Sequence, residues 1–293
     1  MVANSADKSD MDNSLSDYQS LDTNEQLIHL SNIDSAFFES HMEWVLGSDR
    51  AYTLCLKSKG KASAKKVQGG ANVRRPAVIA IAGCVAADPF RFSPEGNHFL
   101  NANEPENQKP FWKAKSVCDV GAPSHGDASA WWEKYTSAAN LLENAAPGIG
   151  HRSHKGFVVG DSLRVGYPLC EPVRPALVDV DQRKAHLDSL KSWPVPPRFR
   201  DSVLELGDDY RLRPSPVFDM DKPVKPLEWG TKLPSAEVTV YFTLKYWKIG
   251  RADAIFNALV EEVHIIKDAA PLVLEKRKAE DGLPSFSSPK KRQ

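Results

Sequence analysis

The sequence predicts an α+β fold that is mostly antiparallel β, a barrel or sandwich with an OB-like barrel as one candidate, carrying an N-terminal helical element and disordered termini. Three observations carry this expectation. From 238 to 249 the residues are β-branched and aromatic, with Val238, Val240, Phe242, Leu244 and Tyr246 on one side of a strand and Thr239, Tyr241, Thr243, Lys245 and Trp247 on the other. Residues 250–253 then supply a turn, and 254–266 returns as the second arm of a hairpin. A helix with Ile255, Leu259, Val263 and Ile266 on one side fits the period slightly better, while the β-branched content and short connection favour the hairpin. Finally, eleven prolines between 168 and 234 remove backbone donors and exclude long central helices.

The chain has 293 residues, 41% of them hydrophobic, enough to fill a core. Its 38 basic and 38 acidic residues cancel, so attraction to a polyanion needs a local patch. The charge is sorted along the chain. Residues 1–22 form an acidic, polar tail that reads as disordered, whereas 57–75 hold Lys57, Lys59, Lys61, Lys65, Lys66, Arg74 and Arg75 and no acid. That run reads as a basic linker or long loop, with phosphate neutralisation as its functional use. Cys55, Cys84, Cys118 and Cys170 contain no C-x-x-C pair, so neither a zinc site nor a disulfide framework is specified, and no metal or cofactor is implied. The longest nearly apolar run, 76–87, is too short for a bilayer, and a reducing compartment is expected.

Residues 23–56 read as a helical element. Thr23 and Gln26 have capping-box spacing, and Leu27, Leu30, Ile33, Phe37, His41 and Val45 recur every three to four residues up to Gly47. His41 on that stripe reads as a core or boundary histidine with one hydrogen bond. A β-rich globular domain spans 76–270, opening with a buried strand at 77–87 that bends at Gly83. A further strand is expected within 111–120. Asp127 caps a helix with Trp131, Tyr135, Ala138, Leu142 and Ala145 on one face, and a short helix fits 180–192.

Gly160-Asp161-Ser162-Leu163, preceded by Phe157-Val158-Val159, resembles over about seven residues the motif by which GDSL hydrolases present a serine. That resemblance implies an Asp-x-x-His near the C-terminus to supply acid and base, because a serine hydroxyl needs a base to become a nucleophile. None of the eight histidines has Asp three residues before it, and the strand–helix alternation of an α/β fold is missing. The segment therefore reads as a hairpin with Gly160-Asp161 in its turn. His151 and His154 have the spacing of a metal pair without a third ligand of evident position, and read as an exposed loop.

The tail, 271–293, carries Lys276-Arg277-Lys278 and Lys290-Lys291-Arg292, spaced as in a bipartite nuclear-import signal, with Ser288-Pro289 set against the second cluster as a proline-directed phosphorylation site. The function expected is a nuclear binding protein without catalytic activity. Its partners would be a nuclear import receptor and nucleic acid or a nuclear protein, reached through the basic run and the Tyr241, Lys245 and Trp247 face, with no membrane partner. A protein-interaction or structural module, and a serine hydrolase centred on Ser162, are the alternatives.

Overall fold

The computed structural model describes residues 27–57, 74–100, 109–123, 128–150, 153–173, 180–250 and 253–267. In chain order these form β1 (Ile28–His29), α1 (Ser35–His41), β2 (Met42–Leu46), β3 (Tyr52–Leu56), β4 (Val78–Val85), β5 (Lys115–Gly121), α2 (Ala128–Asn144), β6 (Ser153–Lys155), β7 (Val158–Val159) and β8 (Ser162–Pro168). The chain continues with β9 (Cys170–Pro172), α3 (Val180–Ser192), α4 (Arg200–Leu204), β10 (Tyr210–Leu212), β11 (Val217–Asp219), β12 (Lys222–Pro223), α5 (Trp229–Lys232), β13 (Glu237–Ile249) and β14 (Asp253–Lys267).

Five strands close a ring. β4 pairs antiparallel with β5, β5 antiparallel with β8, β8 parallel with β14, β14 antiparallel with β13, and β13 antiparallel with β4. Numbered along the chain, the ring runs 1-2-3-5-4-1 with strands 3 and 5 parallel, an OB-type barrel. The long hairpin is its spine. β13 gives one edge to β14 and the other to β4 and then β3, while β14 receives on its second edge β6, β8 and β11 in turn, all parallel. Val238, Val240, Phe242, Leu244 and Tyr246 are fully buried inside, as their alternation predicts.

Two expectations change. The helical period of 27–45 holds only in α1, which Asp34 caps by accepting from the Phe37 N–H at 2.7 Å. Ile28–His29 instead lies along β4, and Met42–Leu46 pairs with β3 in a hairpin closed by the Gly47 N–H on the Ala51 carbonyl at 2.7 Å. Sheet edges that need partners outcompete a marginal helix here. Thr23 and Gln26 lie outside the described residues. In α2 the buried positions are Trp132, Tyr135, Ala138, Ala139, Leu142 and Glu143, so Tyr135, Ala138 and Leu142 of the expected face are buried while Trp131 stays 41% exposed and Trp132 takes its place. His41, stacked on Phe37 at 4.6 Å with Nδ1 at 3.3 Å from the Phe37 carbonyl, keeps its single hydrogen bond.

Both ends of the barrel are plugged. At one end Trp132 lies against Gly83, where an added Cβ would sit 2.5 Å from the Gly121 carbonyl and 3.2 Å from the indole; Trp132 also donates to the Asp161 carbonyl at 2.7 Å. At the other end, the excursion between β8 and β13 packs Trp193 and Trp229 against Phe92 and Tyr167, with Phe92 and Trp229 centroids 5.3 Å apart. The core is continuous from end to end.

Two histidines, half-buried His29 and buried His98, couple this packing to pH. His29 contacts the Tyr135 hydroxyl at 2.9 Å, and His98 sits edge-on between Phe111 and Phe199 with no hydrogen bond to Nε2. Burial lowers the pKa of both below 6.5. The unfolded chain therefore binds protons that the folded chain refuses, so their contribution is complete above about pH 6.5 and is lost as pH falls toward the lowered values. The urea midpoint is expected to drop from about pH 7 to about pH 5, with His98→Gln flattening part of the slope; a slope identical in that variant contradicts the assignment.

Candidate nucleic-acid interface

The side of the barrel strands that faces away from the core carries its chemistry on β13, β14, β8 and β5. Alternation turns Lys245 and Trp247 outward from β13, and their cross-strand partners on β14 are Asn257 and Ile255. Leu259 continues the row on β14, opposite Gly166 of β8, which in turn faces Val117 of β5, with Lys115 two residues before it. Lys115 Nζ donates to Asn257 Oδ1 at 3.2 Å. Burial, and then the charge of Lys245, lower the Lys115 pKa, so the two ammonium groups feel each other across one asparagine.

Lys245 is also held by Asp49 of the β2–β3 turn, Nζ to Oδ2 at 3.1 Å. Burial raises the pKa of Asp49, but the Ala51 N–H and Lys245 together outweigh it and leave the carboxyl below its ordinary value. On β8 Arg164 points outward, held in a two-bond grip by the nearly buried Asp119 at 2.7 and 2.8 Å. That pairing fixes the guanidinium plane while 46% of the side chain stays exposed. Arg91, also exposed, lies on the connection between β4 and β5 and bridges to Val117 through its backbone. The floor of Val117, Gly166 and Leu259 is thus bordered by Lys115, Lys245 and Arg164, with half-buried Trp247 at the β13–β14 turn. Such a face can hold phosphates by charge and a base by stacking.

Tyr241 sits elsewhere. It is 7% exposed and meets His264 edge-on at 5.4 Å, so of the aromatic and basic strand face only Lys245 and Trp247 reach the row. In the basic run, the Lys57 ammonium donates to the Glu39 carbonyl and Arg74 pairs with Glu43. The Leu56 N–H bonds the Arg75 carbonyl at 3.3 Å, so the two described ends of the run meet at one place on the barrel. Lys59, Lys61, Lys65 and Lys66 lie outside the described residues, as do Lys276, Arg277, Lys278, Ser288, Lys290, Lys291 and Arg292.

Val158–Val159 pairs with β8 through a turn at Gly160 (φ 57°) and Asp161, the hairpin expected there. Among the described residues no histidine hydrogen-bonds Ser162, and no group of three or more metal-ligating side chains occurs. The side chains of His151 and His154 are outside the described set.

Periodicity alone misses Lys115, Arg164 and Asn257. Their alternation with Val117, Gly166 and Leu259 is visible in the sequence, but which strands lie side by side is not.

No protein-family model matches the chain, and no curated protein matches it in sequence. Among solved structures it is similar to the crystal structure of gp2.5, a single-stranded DNA binding protein encoded by bacteriophage T7, with a TM-score of 0.35 and 11% identity over 70% of this chain and 98% of that one. A likeness this distant carries no argument about what this chain binds.

Proposed function

We propose that the chain is a non-catalytic, nuclear nucleic-acid-binding protein that lays a single strand across the outward side of β5, β8, β14 and β13. One observation carries the reading: Lys115 donates to Asn257, the cross-strand neighbour of Lys245, close enough that the charge of Lys245 is felt at Lys115, and Trp247 lies two residues further along β13. Two like charges held together cost free energy in the free protein, and an anion between them relieves that cost. The aromatic at the rim favours unstacked bases, which a duplex does not offer. In OB-type barrels the face of strands 2 and 3, framed by the first and last inter-strand connections, is where oligonucleotides and oligosaccharides bind. Those positions correspond here to β5, β8, the connection carrying Arg91, and the β13–β14 turn.

The test is fluorescence anisotropy of labelled oligo-dT and oligo-U of about 20 nucleotides against the full chain, over a salt series. Saturable binding at about 50 mM salt, weakening linearly in log–log form as salt rises, is expected. Failure of both oligonucleotides to bind at low salt overturns the reading.

Nuclear entry is assigned to the two basic clusters of the tail, 276–278 and 290–292, read by an import receptor. A phosphate on Ser288 brings about −1.5 to −2 charges against the second cluster and weakens that contact. In a fusion too large for passive diffusion, deletion of 276–293 is expected to abolish nuclear accumulation and Ser288→Asp to reduce it. Accumulation unchanged by the deletion sinks the import signal while leaving the binding face untouched.

A further inference from the structure

We infer that Trp112 and Tyr210 form a second base-stacking platform for the same single strand, at the end of the face opposite Trp247. This assignment rests on the proposed function and names a site that the strand face does not include.

Trp112 lies in the 3-10 turn Phe111–Lys113, directly ahead of β5 and three residues before Lys115. Phe111, 1% exposed, anchors that turn in the core, while Trp112 is 38% exposed. Tyr210 stacks on Trp112 with centroids 5.0 Å apart and planes 7° from parallel. Its own support is rigid: β10 pairs with β9, the continuation of β8, and Arg211 clamps Glu171 at 2.6 Å. An exposed indole held parallel to a phenol by two structured segments is a flat surface fixed before any ligand arrives, so little ordering remains to be done on binding.

The register places this pair on the path. Lys115 pairs with Pro168 at the end of β8, whereas Trp247 and Ile255 lie at the level where β8 begins. Following β8 across the face, a strand meets Trp247, then Lys245, Asn257 and Lys115, then Trp112. The seven residues of β8 span about 20 Å, room for several unstacked nucleotides, and single OB barrels accommodate about 4–16. The Lys113 ammonium lies 4.7 Å from the Trp112 ring centroid. An exposed cation–π contact is weaker than a base stack, so an arriving base displaces Lys113 and leaves its charge for the adjoining phosphate.

The experiment uses the full chain with oligonucleotides of about 20 nucleotides carrying 5-iododeoxyuridine or, in a parallel arm, 5-iodouridine, cross-linked by light and mapped by peptide mass. An adduct on Trp112 or Tyr210 is expected, and the two arms report whether the strand is DNA, RNA or either. Trp112→Ala should weaken the long oligonucleotide by about tenfold and leave one of about 4 nucleotides unchanged, while Trp112→Phe restores most of the loss. Equal binding by wild type and Trp112→Ala, with adducts confined to β13, β14, β8 and β5, overturns this assignment and leaves the proposed function standing. No binding by wild type overturns both. Should Trp112→Ala prove unfolded by thermal melting, the adduct map and the Phe variant decide the question.

Discussion

Reversing two charges, Lys115→Glu together with Lys245→Glu, is expected to weaken single-strand binding by at least about 100-fold at low salt and to lower the log–log salt slope by roughly two. Both effects come from the same cause: two phosphates lose their partners and meet carboxylates instead. The change most diagnostic of the site has the opposite sign. Asp49 holds the Lys245 ammonium at 3.1 Å in the free protein, so Asp49→Asn should release it and tighten binding by about two- to fivefold. Lys115→Met separates charge from packing, since it keeps the aliphatic stem and removes the ammonium. Unaltered affinity in the double reversal, or weaker binding in Asp49→Asn, contradicts the site as drawn.

Trp229→Ala is expected to produce the largest loss of stability, about 3–5 kcal/mol by urea denaturation. Trp229 is fully buried, its ring meets Phe92, Tyr167 and Trp193, and its Nε1 lies 3.0 Å from Ser215 Oγ and 3.3 Å from the Val224 carbonyl. Truncation opens a cavity and removes the donor shared by two oxygens. Trp229→Phe should recover part of the loss by refilling volume without the donor. Limited proteolysis should cut first between β8 and β13, because that excursion docks on the barrel through this aromatic group. A change below about 1 kcal/mol would mean that the excursion is held elsewhere.

How much of this was legible in the sequence depended on range. β13 was readable because strict alternation survives along its length. Its partner was ambiguous for a physical reason: Tyr241 pairs with Glu262 and Phe242 with Val260, so Glu261 is an extra residue in the ladder. Inward positions pass from Ala254, Phe256, Ala258 and Val260 to Val263 across that bulge, and a slip of one residue imitates a helical period. The same local limit misassigned Trp131, since Trp131 and Trp132 fit neighbouring faces of one helix and only the barrel end chooses between them. Gly160-Asp161 was legible as a turn, being local chemistry. In the candidate site Lys245 and Trp247 were legible on one strand. Lys115 and Asn257, separated by 142 positions, meet only through ring closure, which leaves no periodic trace.

β14 has a further consequence, for the order of events during synthesis. Its second edge is the docking line for β6, β8 and β11, three strands made well before it, and its first edge completes β13. Until residues 253–267 leave the ribosome, those earlier strands have made hairpin or local contacts but cannot close the ring, and their edges stay open to other chains. Closure therefore comes late and over long sequence separations, which slows folding.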